Sequence, residues 1–351
     1  MARVRITDVA AVAGVSTATV SLVLNGNDAR ITTATAERVR RAAAEVGYTP
    51  NGVARGLRTQ RTRTIGLVSD QIATTPFAGR MLAGAQDVAR EHDHLVVLVD
   101  TGGDPGVERD AVRALADHQV DNLVYACMWH RVVEPVEGLP PTAVYLDCRP
   151  TTGRAPAVVP DDHGGGVAAV TALVEAGHRR IAYVDVDETG PDRPIAANLR
   201  RDAWREVLAA TGVEPDPAWH VHGASDAAGG RAATHALLDL PQGRRPTAVF
   251  CFNDRMAVGV YQAAAAHGLT IPDDLSVVGY DDQQLVATEL LPPLTTVALP
   301  HEAMGRWAME VALGTRTPDP GGAHLMPCVL VRRASVGPPP AAAANSSRRR
   351  V

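Results

Sequence analysis

The sequence of 351 residues contains no lysine, and all 34 of its basic residues are arginine. A phosphate-binding loop of the GxxxxGK[ST] type needs a lysine, so the Gly-rich stretches "DTGGDPG" (100–106) and "DDHGGG" (161–166) cannot form one. Neither stretch fits a dinucleotide-binding GxGxxG, and no GxSxG, HExxH or paired-carboxylate pattern stands out. The sequence therefore gives no support to an enzyme, and we expect no cofactor.

Cysteine and long apolar runs are also scarce. The four cysteines lie far apart, without a CxxC or clustered Cys/His spacing, and predict free thiols rather than a metal centre. No apolar run approaches the roughly 20 residues that span a bilayer, and the N-terminal "MARVRITDVA" lacks the apolar core of a signal peptide. With 46% hydrophobic and 21% charged residues, we expect a folded cytoplasmic protein of two or three domains.

The net charge of −5 is unevenly distributed along the chain. Residues 1–63 carry ten arginines and four acids, a net charge of +6, whereas the remainder carries −11. A small basic head on a larger acidic body favours a polyanion-binding module attached to a second function. A solvated basic face without a partner is the alternative that charge alone leaves open.

The segment "TDVAAVAGVSTATVSLVLNG" (7–26) predicts two short helices joined by a tight turn. Thr7 is the expected cap of the first helix and Ser16 the cap of the second, and a third begins at Thr32 or Thr33. Two short helices joined by a turn containing glycine are typical of a helix-turn-helix, whose second helix enters the major groove. For these helices alone, an ordinary three-helix bundle remains the alternative.

The outward positions of the second helix are expected to be Thr17, Ala18, Ser21 and Leu22. Hydroxyl groups can bond bases or phosphates, and the two aliphatic side chains could contact thymine methyl groups. The chemistry of this helix is therefore compatible with contacts to base edges.

The motifs "DVAxxAGVSxxTVSxVLNG", "GYxPNxxARxL" and "VVGYDD" together resemble the LacI/GalR family of bacterial transcription regulators. The resemblance continues weakly over nearly the whole chain. It implies an α/β protein with an N-terminal three-helix helix-turn-helix head, a hinge helix and a two-lobed body. The body is expected to have the periplasmic-binding-protein-like fold with parallel sheets.

The resemblance also implies which residues contact DNA. In the head and hinge these are Thr7, Ser16, Thr17, Ala18, Thr19, Ser21, Leu22, Asn25, Asn51, Ala54, Arg55, Leu57 and Arg58. The hinge "NGVARGLR" (51–58) is expected to become helical only on operator DNA, with Leu57 wedged into a minor-groove step. A flexible basic linker is the alternative. Leu22 and Ala36 depart from the family pattern, where polar or arginine side chains are common.

The body alternates short apolar runs with helix-like segments, which predicts parallel sheets covered on both faces. Two such sets indicate two lobes with a ligand in the crevice at the carboxyl ends of their strands. The expected domains are a head (1–50), a hinge (51–63), a body (64–337) and a disordered tail (338–351). In the body, the lobe boundary is expected near 160, with crossings near 293–300 and 320–328.

The effector site is expected at the ends of these strands. Its candidate residues are Asp70, Phe77, Asp147, Arg200, Asn253 and Asp281. Asp70 follows the first strand, Asp147 ends the run "VYLD" and Phe77 lies in "TTPFAG", whereas the resemblance implies ligand contacts for Arg200, Asn253 and Asp281. Carboxylate, guanidinium and amide groups suit neighbouring hydroxyls. Each residue also has a structural alternative: Asp147 and Asp281 as turn residues, Arg200 paired with Asp202 or Glu206, and Phe77 in the core. His178 is interpreted as part of a structural turn into a strand. Two residues depart from the family pattern: Pro300 stands where some relatives have an aromatic residue, and Ala126 where relatives can have a polar one.

Together these features predict a transcriptional repressor whose affinity for a pseudo-palindromic operator is switched by a small sugar or sugar derivative. A homodimer is expected, because two heads read a two-fold operator, and no membrane partner is expected. Such a protein would be cytoplasmic and associated with the nucleoid. A solute-binding protein or a sugar-processing enzyme with the same two-lobed fold is the alternative, which the N-terminal head and the missing catalytic motif disfavour.

Overall fold

The computed structural model describes residues 4–26, 28–48, 62–72, 75, 78–152, 155–187, 194–318, 320 and 322–341. The chain divides into two compact units, one formed by Met1–Arg63 with Gln119–Asp121 and the other by Thr64–His118 with Asn122–Val351. Within the described residues no single helix is long and apolar enough to cross a membrane. The pair Ile6–Ala13 and Thr17–Leu24, bent by 102°, passes that test by length and composition only.

Among its described residues the head contains three helices, as the sequence predicts: α1 (Ile6–Ala13), α2 (Thr17–Leu24) and α3 (Thr33–Glu45). One small core holds them together, because each helix turns an apolar stripe inward at helical spacing. Val9, Val20 and Val39, one from each helix, are completely buried. The three-helix head is therefore a packed unit rather than a set of isolated helices.

The caps of the second and third helices agree with the sequence, and that of the first does not. Ser16 and Thr32 cap α2 and α3 by accepting from the backbone N–H three residues on. The prediction that Thr7 caps α1 is wrong, because the helix begins at Ile6 and Thr7 lies within its first turn. Asp8 accepts instead from the Arg5 backbone N–H (2.8 Å), so the capping carboxylate sits inside the helix.

In the part of the body that the structure describes there are two six-stranded sheets, which confirms the predicted α/β fold with parallel strands. The strands of the first sheet are β1 (Thr64–Ser69), β2 (Leu95–Asp100), β3 (Asn122–Val133), β4 (Val144–Pro150), β5 (Ala157–Pro160) and β11 (His324–Met326). Those of the second are β6 (Ile181–Val186), β7 (His220–Gly223), β8 (Ala248–Cys251), β9 (Ser276–Asp281), β10 (Thr295–Ala298) and β12 (Val329–Val331). Their orders are β11-β5-β4-β3-β1-β2 and β12-β10-β9-β8-β6-β7.

Helices connect the strands and cover the faces of both sheets. They are α4 (Ala78–Glu91), α5 (Pro105–Asp117), α6 (Asp162–Glu175), α7 (Ile195–Ala210), α8 (Ala227–Leu238), α9 (Asp254–Ala266) and α10 (His301–Ala312), with a short 3₁₀ turn at Pro217–Trp219. Each sheet has its own apolar core, so each forms a separate lobe.

The chain crosses between the lobes in the C-terminal part of the body. β10 pairs with β9 in the second sheet, although it lies in the segment where the sequence suggests a return to the first lobe. The return follows β10, since α10 packs into the core of the first lobe. There α10 lies against α4, and a Cβ added at Gly84 or at Gly305 would collide with a backbone carbonyl oxygen of the facing helix. β11 and β12 then belong to the first and second sheets respectively.

Candidate functional site

The outward face of α2 carries small, uncharged side chains. Thr17, Ala18 and Leu22 are exposed, with 45% of the Leu22 surface accessible, and Ser21 is half-buried. Hydroxyl groups can bond base edges or phosphates, and aliphatic side chains can contact thymine methyl groups. This face therefore has the chemistry that a helix in the major groove needs.

Three other predicted DNA contacts are hydrogen-bonded within the head. Ser16 Oγ accepts from the Thr19 backbone N–H (3.1 Å) and lies 3.0 Å from Thr19 Oγ1. At the other end of α2, the Asn25 side-chain amide donates to the Ser21 carbonyl oxygen. These side chains hold both ends of α2 and so fix the direction of its outward face. Thr7 is exposed.

The third helix packs against the first two and is hydrogen-bonded to α1. Arg38 donates from Nε to the carbonyl oxygen of Ala13 (2.9 Å), at the C-terminal end of α1 where a cation is favoured. Ala36, which the family pattern suggests as a position for phosphate contact, is buried with only 3% of its surface exposed. This side chain belongs to the core of the head.

The predicted hinge contacts and one predicted effector residue lie outside the described residues. They are Asn51, Ala54, Arg55, Leu57, Arg58 and Phe77. Their roles stay predictions from the sequence.

A cavity of about 390 Å³ opens between the two lobes of the body. Its polar lining includes Asp147, Arg200, Asn253 and Asp281, four of the six residues predicted for the effector site. They follow or face strand ends of both sheets, so the structure brings together side chains that are far apart in sequence. This is the crevice position expected for ligands of parallel α/β sheets.

Arg200 on α7 is the centre of the charged groups in the cavity. It donates from Nε and Nη2 to Asp162 Oδ1 (3.0 and 2.7 Å) and from Nη1 to the Phe252 carbonyl oxygen (2.6 Å). Its guanidinium carbon lies 3.5 Å from the centroid of the Tyr280 ring and 4.7 Å from that of Phe252. Arg200 is thus held in one orientation, and it does not pair with Asp202 or Glu206, which contact Arg201 and His163 instead.

Asp162 is the buried partner that the sequence interpretation missed. It is fully buried, and it accepts from Arg200 and lies 3.2 Å from His130 Nδ1. Burial opposes ionisation, but the Arg200 guanidinium and the contact with His130 outweigh it and hold the pKa of Asp162 below its usual value. A carboxylate at this position therefore stays charged and fixes Arg200.

The Gly-rich stretch at 161–166 makes this pairing possible. Asp161 caps α6 by accepting from the Gly164 backbone N–H (2.9 Å). A Cβ at Gly165 would collide with the Tyr280 hydroxyl, and one at Gly166 would crowd the Cβ of Ala203 on α7. The glycines let α6 approach its neighbours closely, so this run has a packing role and is not a phosphate loop.

Asp147 lies within β4 and not in a turn, and its φ is positive at 57°. Asp147 is buried, with 3% of its surface exposed. Among the described residues, no hydrogen-bond partner reaches its Oδ1. Burial, together with the neighbouring Asp162 charge, raises the pKa of Asp147 well above its usual value. A strained backbone and an unsatisfied buried oxygen are features that binding sites concentrate.

Asp281 at the end of β9 is a third aspartate in the lining of the cavity, after Asp147 and Asp162. Its φ is 104°, and Gln283 donates from Nε2 to its Oδ2 (2.9 Å). Burial raises the pKa of Asp281 to about 6, against the lowering effect of Arg200. The distance from Asp281 Oδ1 to Arg200 Nη1 is 3.8 Å, longer than a hydrogen bond, so these two groups can share a ligand atom.

Asn253 and Asp70 have structural partners. Asn253 caps α9 by accepting from the Met256 backbone N–H (2.8 Å), and its amide donates to Ser225 Oγ (2.8 Å). Asp70 accepts from Arg131 Nη2 (2.7 Å) and is not among the residues that line the cavity. Asn253 therefore lies at the cavity with its side chain already oriented, whereas Asp70 is paired with Arg131 and does not line the cavity.

Several lining residues carried no signal that sequence reasoning used. The register of β3 against β4 shifts between Ala126 and Arg131, which alters the pairing just where Trp129 and His130 line the cavity. Among the described residues no partner reaches His130 Nε2, and 41% of the Trp129 surface is exposed. A bulge inside an apolar run cannot be located from residue types alone. The aromatic "MWH" within that run is the one available hint.

His178 is buried away from the cavity. Its Nδ1 lies 2.9 Å from Thr247 Oγ1 and its Nε2 2.9 Å from the Gly337 carbonyl oxygen. Burial lowers the pKa of His178, which favours a neutral ring in this position. His178 therefore joins distant segments of the second lobe, in agreement with its structural interpretation.

Comparisons with known proteins agree with both halves of this architecture. The family described as bacterial regulatory proteins, lacI family, matches residues 5–51, and a periplasmic binding protein-like domain matches residues 170–336. The ribose operon repressor of Haemophilus influenzae is 36% identical over 309 residues, 87% of this chain and 90% of that protein. The HTH-type transcriptional repressor PurR of Aliivibrio fischeri is 33% identical over 313 residues, 88% of this chain and 90% of that protein.

Solved structures give the same result. The lac repressor dimer bound to operator and the anti-inducer ONPF has a TM-score of 0.76 and 28% identity, covering 96% of this chain and 100% of that chain. A LacI family regulator from Enterococcus faecium with bound ribose has a TM-score of 0.62 and 25% identity, covering 78% and 99%. With a basic three-helix head, a two-lobed body and relatives matched over most of their length, this chain belongs to the lacI family of bacterial regulatory proteins.

Proposed function

We propose that this protein is a transcriptional repressor whose affinity for operator DNA is switched by a small sugar or sugar-like effector bound in the cavity. The relatives that match most of the chain are repressors, among them a ribose operon repressor and the transcriptional repressor PurR. Among similar structures, one holds ribose and one is a complex with cellobiose. The head supplies the DNA-binding part of this function and the cavity the ligand-binding part.

The observation that carries the proposal is the set of polar groups around Asp281. A ligand hydroxyl that accepts from Arg200 and donates to Asp281 would bridge the 3.8 Å gap between them. Asp147 offers an unsatisfied buried oxygen, and Trp129 offers an aromatic surface at the same cavity. Because a hydroxyl is both a donor and an acceptor, a polyhydroxylated ligand satisfies such a mixed set better than an apolar one.

We further propose a homodimer that binds a pseudo-palindromic operator. A single α2 reads one half-site, so two heads at a fixed spacing are needed to read a two-fold site. In this proposal, residues 1–50 contact DNA and residues 64–337 bind the ligand and form the dimer. Residues 51–63 couple ligand binding to DNA binding. We infer that the protein acts in the cytoplasm, where bacterial operator DNA is found.

The experiment that tests the effector assignment is isothermal titration with a panel of pentoses, hexoses, disaccharides and nucleosides. We expect a sugar to bind to the wild-type protein and to bind about tenfold to a hundredfold more weakly to Asp281→Asn, which loses a charge-assisted hydrogen bond, and also more weakly to Asp147→Asn, which loses a carboxyl contact. Asp202→Asn is the matched control, because this exposed acid on α7 contacts Arg201 outside the cavity.

Two results would contradict the assignment. Equal sugar affinities of the wild type and both cavity variants would show that the ligand binds elsewhere. Binding of a nucleoside with no binding of any sugar would show that the cavity selects a different class of effector.

A further inference from the structure

Two histidines and an aspartate meet on one face of the second sheet, outside the effector cavity. Asp185 lies on β6, and His220 and His222 lie two residues apart on its neighbour β7. Because side chains alternate between the faces of a strand, His220 and His222 share one face. Asp185 is the register partner of His222, so its side chain lies on the same face.

The ligand atoms of these three residues are close enough for one ion. His220 Nε2 lies 2.9 Å and His222 Nε2 lies 3.9 Å from Asp185 Oδ2, and all three ligand atoms are within 4.8 Å of one another. In a tetrahedral zinc site with bonds of about 2.0–2.1 Å, the ligand atoms are about 3.3 Å apart. Small side-chain rotations would bring the observed spacings to that value.

The surroundings orient the ligands. Asp185 is fully buried, and its Oδ1 accepts from the Val186 backbone N–H (2.8 Å), which directs Oδ2 to the histidines. The His220 ring stacks on Tyr183 with 5.7 Å between ring centroids and lies 5.8 Å from Trp204. Two of the three ligands are therefore held in place before any ion binds.

The cluster is accessible from solvent on one side. The His222 side chain is 45% exposed and that of His220 16%. An open groove lined by Trp204, Arg205 and His220 leads to the same face. Three protein ligands with one open side leave a fourth coordination position for water.

We propose that Asp185, His220 and His222 form a site for a divalent transition-metal ion of the zinc class, which joins the edge strand β7 to β6. Imidazole nitrogens suit Zn²⁺, Ni²⁺ and Cu²⁺, whereas Mg²⁺ and Ca²⁺ prefer oxygen ligands. The ion would stabilise an edge strand that leads within two residues to Ser225 in the wall of the effector cavity. The site uses none of the residues proposed for contact with DNA or with the sugar.

The test uses the full-length protein with its purification tag removed, titrated with Zn²⁺ by calorimetry and with Co²⁺ by visible absorption. We expect one ion per chain, a rise of the Tm with Zn²⁺, and the d–d absorption of Co²⁺ in a site with nitrogen ligands. Loss of a group that only supports a ligand weakens metal binding about 10–100-fold, so His222→Ala, which removes a ligand, should weaken it at least tenfold.

His267→Ala is the matched control. His267 pairs with His235 on the surface, where Nε2 and Nδ1 are 3.0 Å apart, so it offers another pair of imidazoles in an exposed position. We expect Zn²⁺ affinity to be unchanged in this variant. Asp185→Asn is a second variant at the site, and its Zn²⁺ affinity should also fall.

The proposal would be overturned by the absence of stoichiometric Zn²⁺ binding to the wild type. It would also be overturned if His222→Ala kept the wild-type affinity, or if His267→Ala removed the binding instead. His222 is exposed, so circular dichroism of His222→Ala is expected to match the wild type and to exclude unfolding as the cause of any loss.

Discussion

The proposed DNA-binding face of the head and the cavity of the body are built in opposite ways. Along α2 the outward side chains are uncharged, exposed and contributed by a single helix, from Thr17 to Leu22. In the cavity, buried charged groups come from separate elements: Asp147 from β4, Asp162 from α6 and Arg200 from α7. An exposed residue on α2 can be replaced without consequence for the fold. Each buried charged residue of the cavity, in contrast, depends on the others for its partners.

The difference follows from the solvation of charge. An exposed hydroxyl exchanges water for DNA at little cost, but a buried charge is tolerated only with a partner and further hydrogen bonds. Arg200 has these in Asp162, the Phe252 carbonyl oxygen and the Tyr280 ring. Mutations should therefore separate the two regions. Substitutions on the outward face of α2 should weaken operator binding alone, whereas substitutions in the cavity should change both stability and ligand binding.

The largest effect is expected from removal of residues 1–62. Operator binding should be lost completely, because the net positive charge and the outward face of α2 are both removed. The remaining chain forms a compact unit, so its affinity for the effector should stay within about twofold of the full-length value. Gel-shift assays and calorimetry measure the two quantities, and specific operator binding by the truncated protein would refute the assignment of the head.

Asp162→Asn should have the next largest effect. Removing one partner of a buried ion pair typically costs about 3–5 kcal/mol of unfolding free energy, because the Arg200 charge stays buried without compensation. Urea denaturation measures this loss. Glu206→Gln is the control: this exposed acid pairs with His163 at 3.0 Å, and its loss should change stability by no more than about 0.5 kcal/mol. Equal effects of the two substitutions would contradict the role given to the buried pair.

Asp281→Asn should make stability less dependent on pH. With a pKa of about 6, folded Asp281 holds its proton more tightly than the unfolded chain does, so its stabilising contribution is lost as pH rises from about 4 to above 6. At pH 7 the variant should be more stable than the wild type, by up to about 2–3 kcal/mol, and at pH 4 the difference should vanish. Denaturation of both proteins across this range measures it, and a variant that is less stable at pH 7 would show that ionised Asp281 is favourable.

Within the head, Ser16→Ala and Thr17→Ala should separate a structural from a contact role. Ser16 caps α2, so its loss should lower the unfolding free energy of the head by about 1 kcal/mol. Thr17 is exposed, so its replacement should leave stability unchanged and weaken operator binding. Thermal unfolding and operator titration measure the two effects. Reversed outcomes would place the DNA-binding face elsewhere on the head.

The head could be predicted almost residue by residue, because its signals are local. The hydroxyl residues Ser16 and Thr32 marked the starts of α2 and α3, and both act as caps in the structure. The exception was the start of α1, where Asp8 inside the helix competes with Thr7 as the capping residue. Helix boundaries are sensitive to such local competition.

The cavity could be predicted only in part, because its geometry depends on long-range packing. Strand ends and family motifs led to Asp147, Arg200 and Asp281, which the structure brings together. They gave no indication that Asp162 would be the partner of Arg200, since that pairing depends on how α6 packs against α7. The position of His130 depends equally on an irregularity in β3 that no residue type marks.

We propose that the operator and the effector are held by separate sets of residues. The most direct test is an anisotropy titration of an operator complex with the sugar found by calorimetry, using wild-type protein and Asp281→Asn. We expect equal operator affinities without sugar, and a half-maximal response of the variant at a sugar concentration about tenfold or more above that of the wild type. Half-maximal responses at the same sugar concentration, or weaker operator binding by Asp281→Asn without sugar, would contradict the claim.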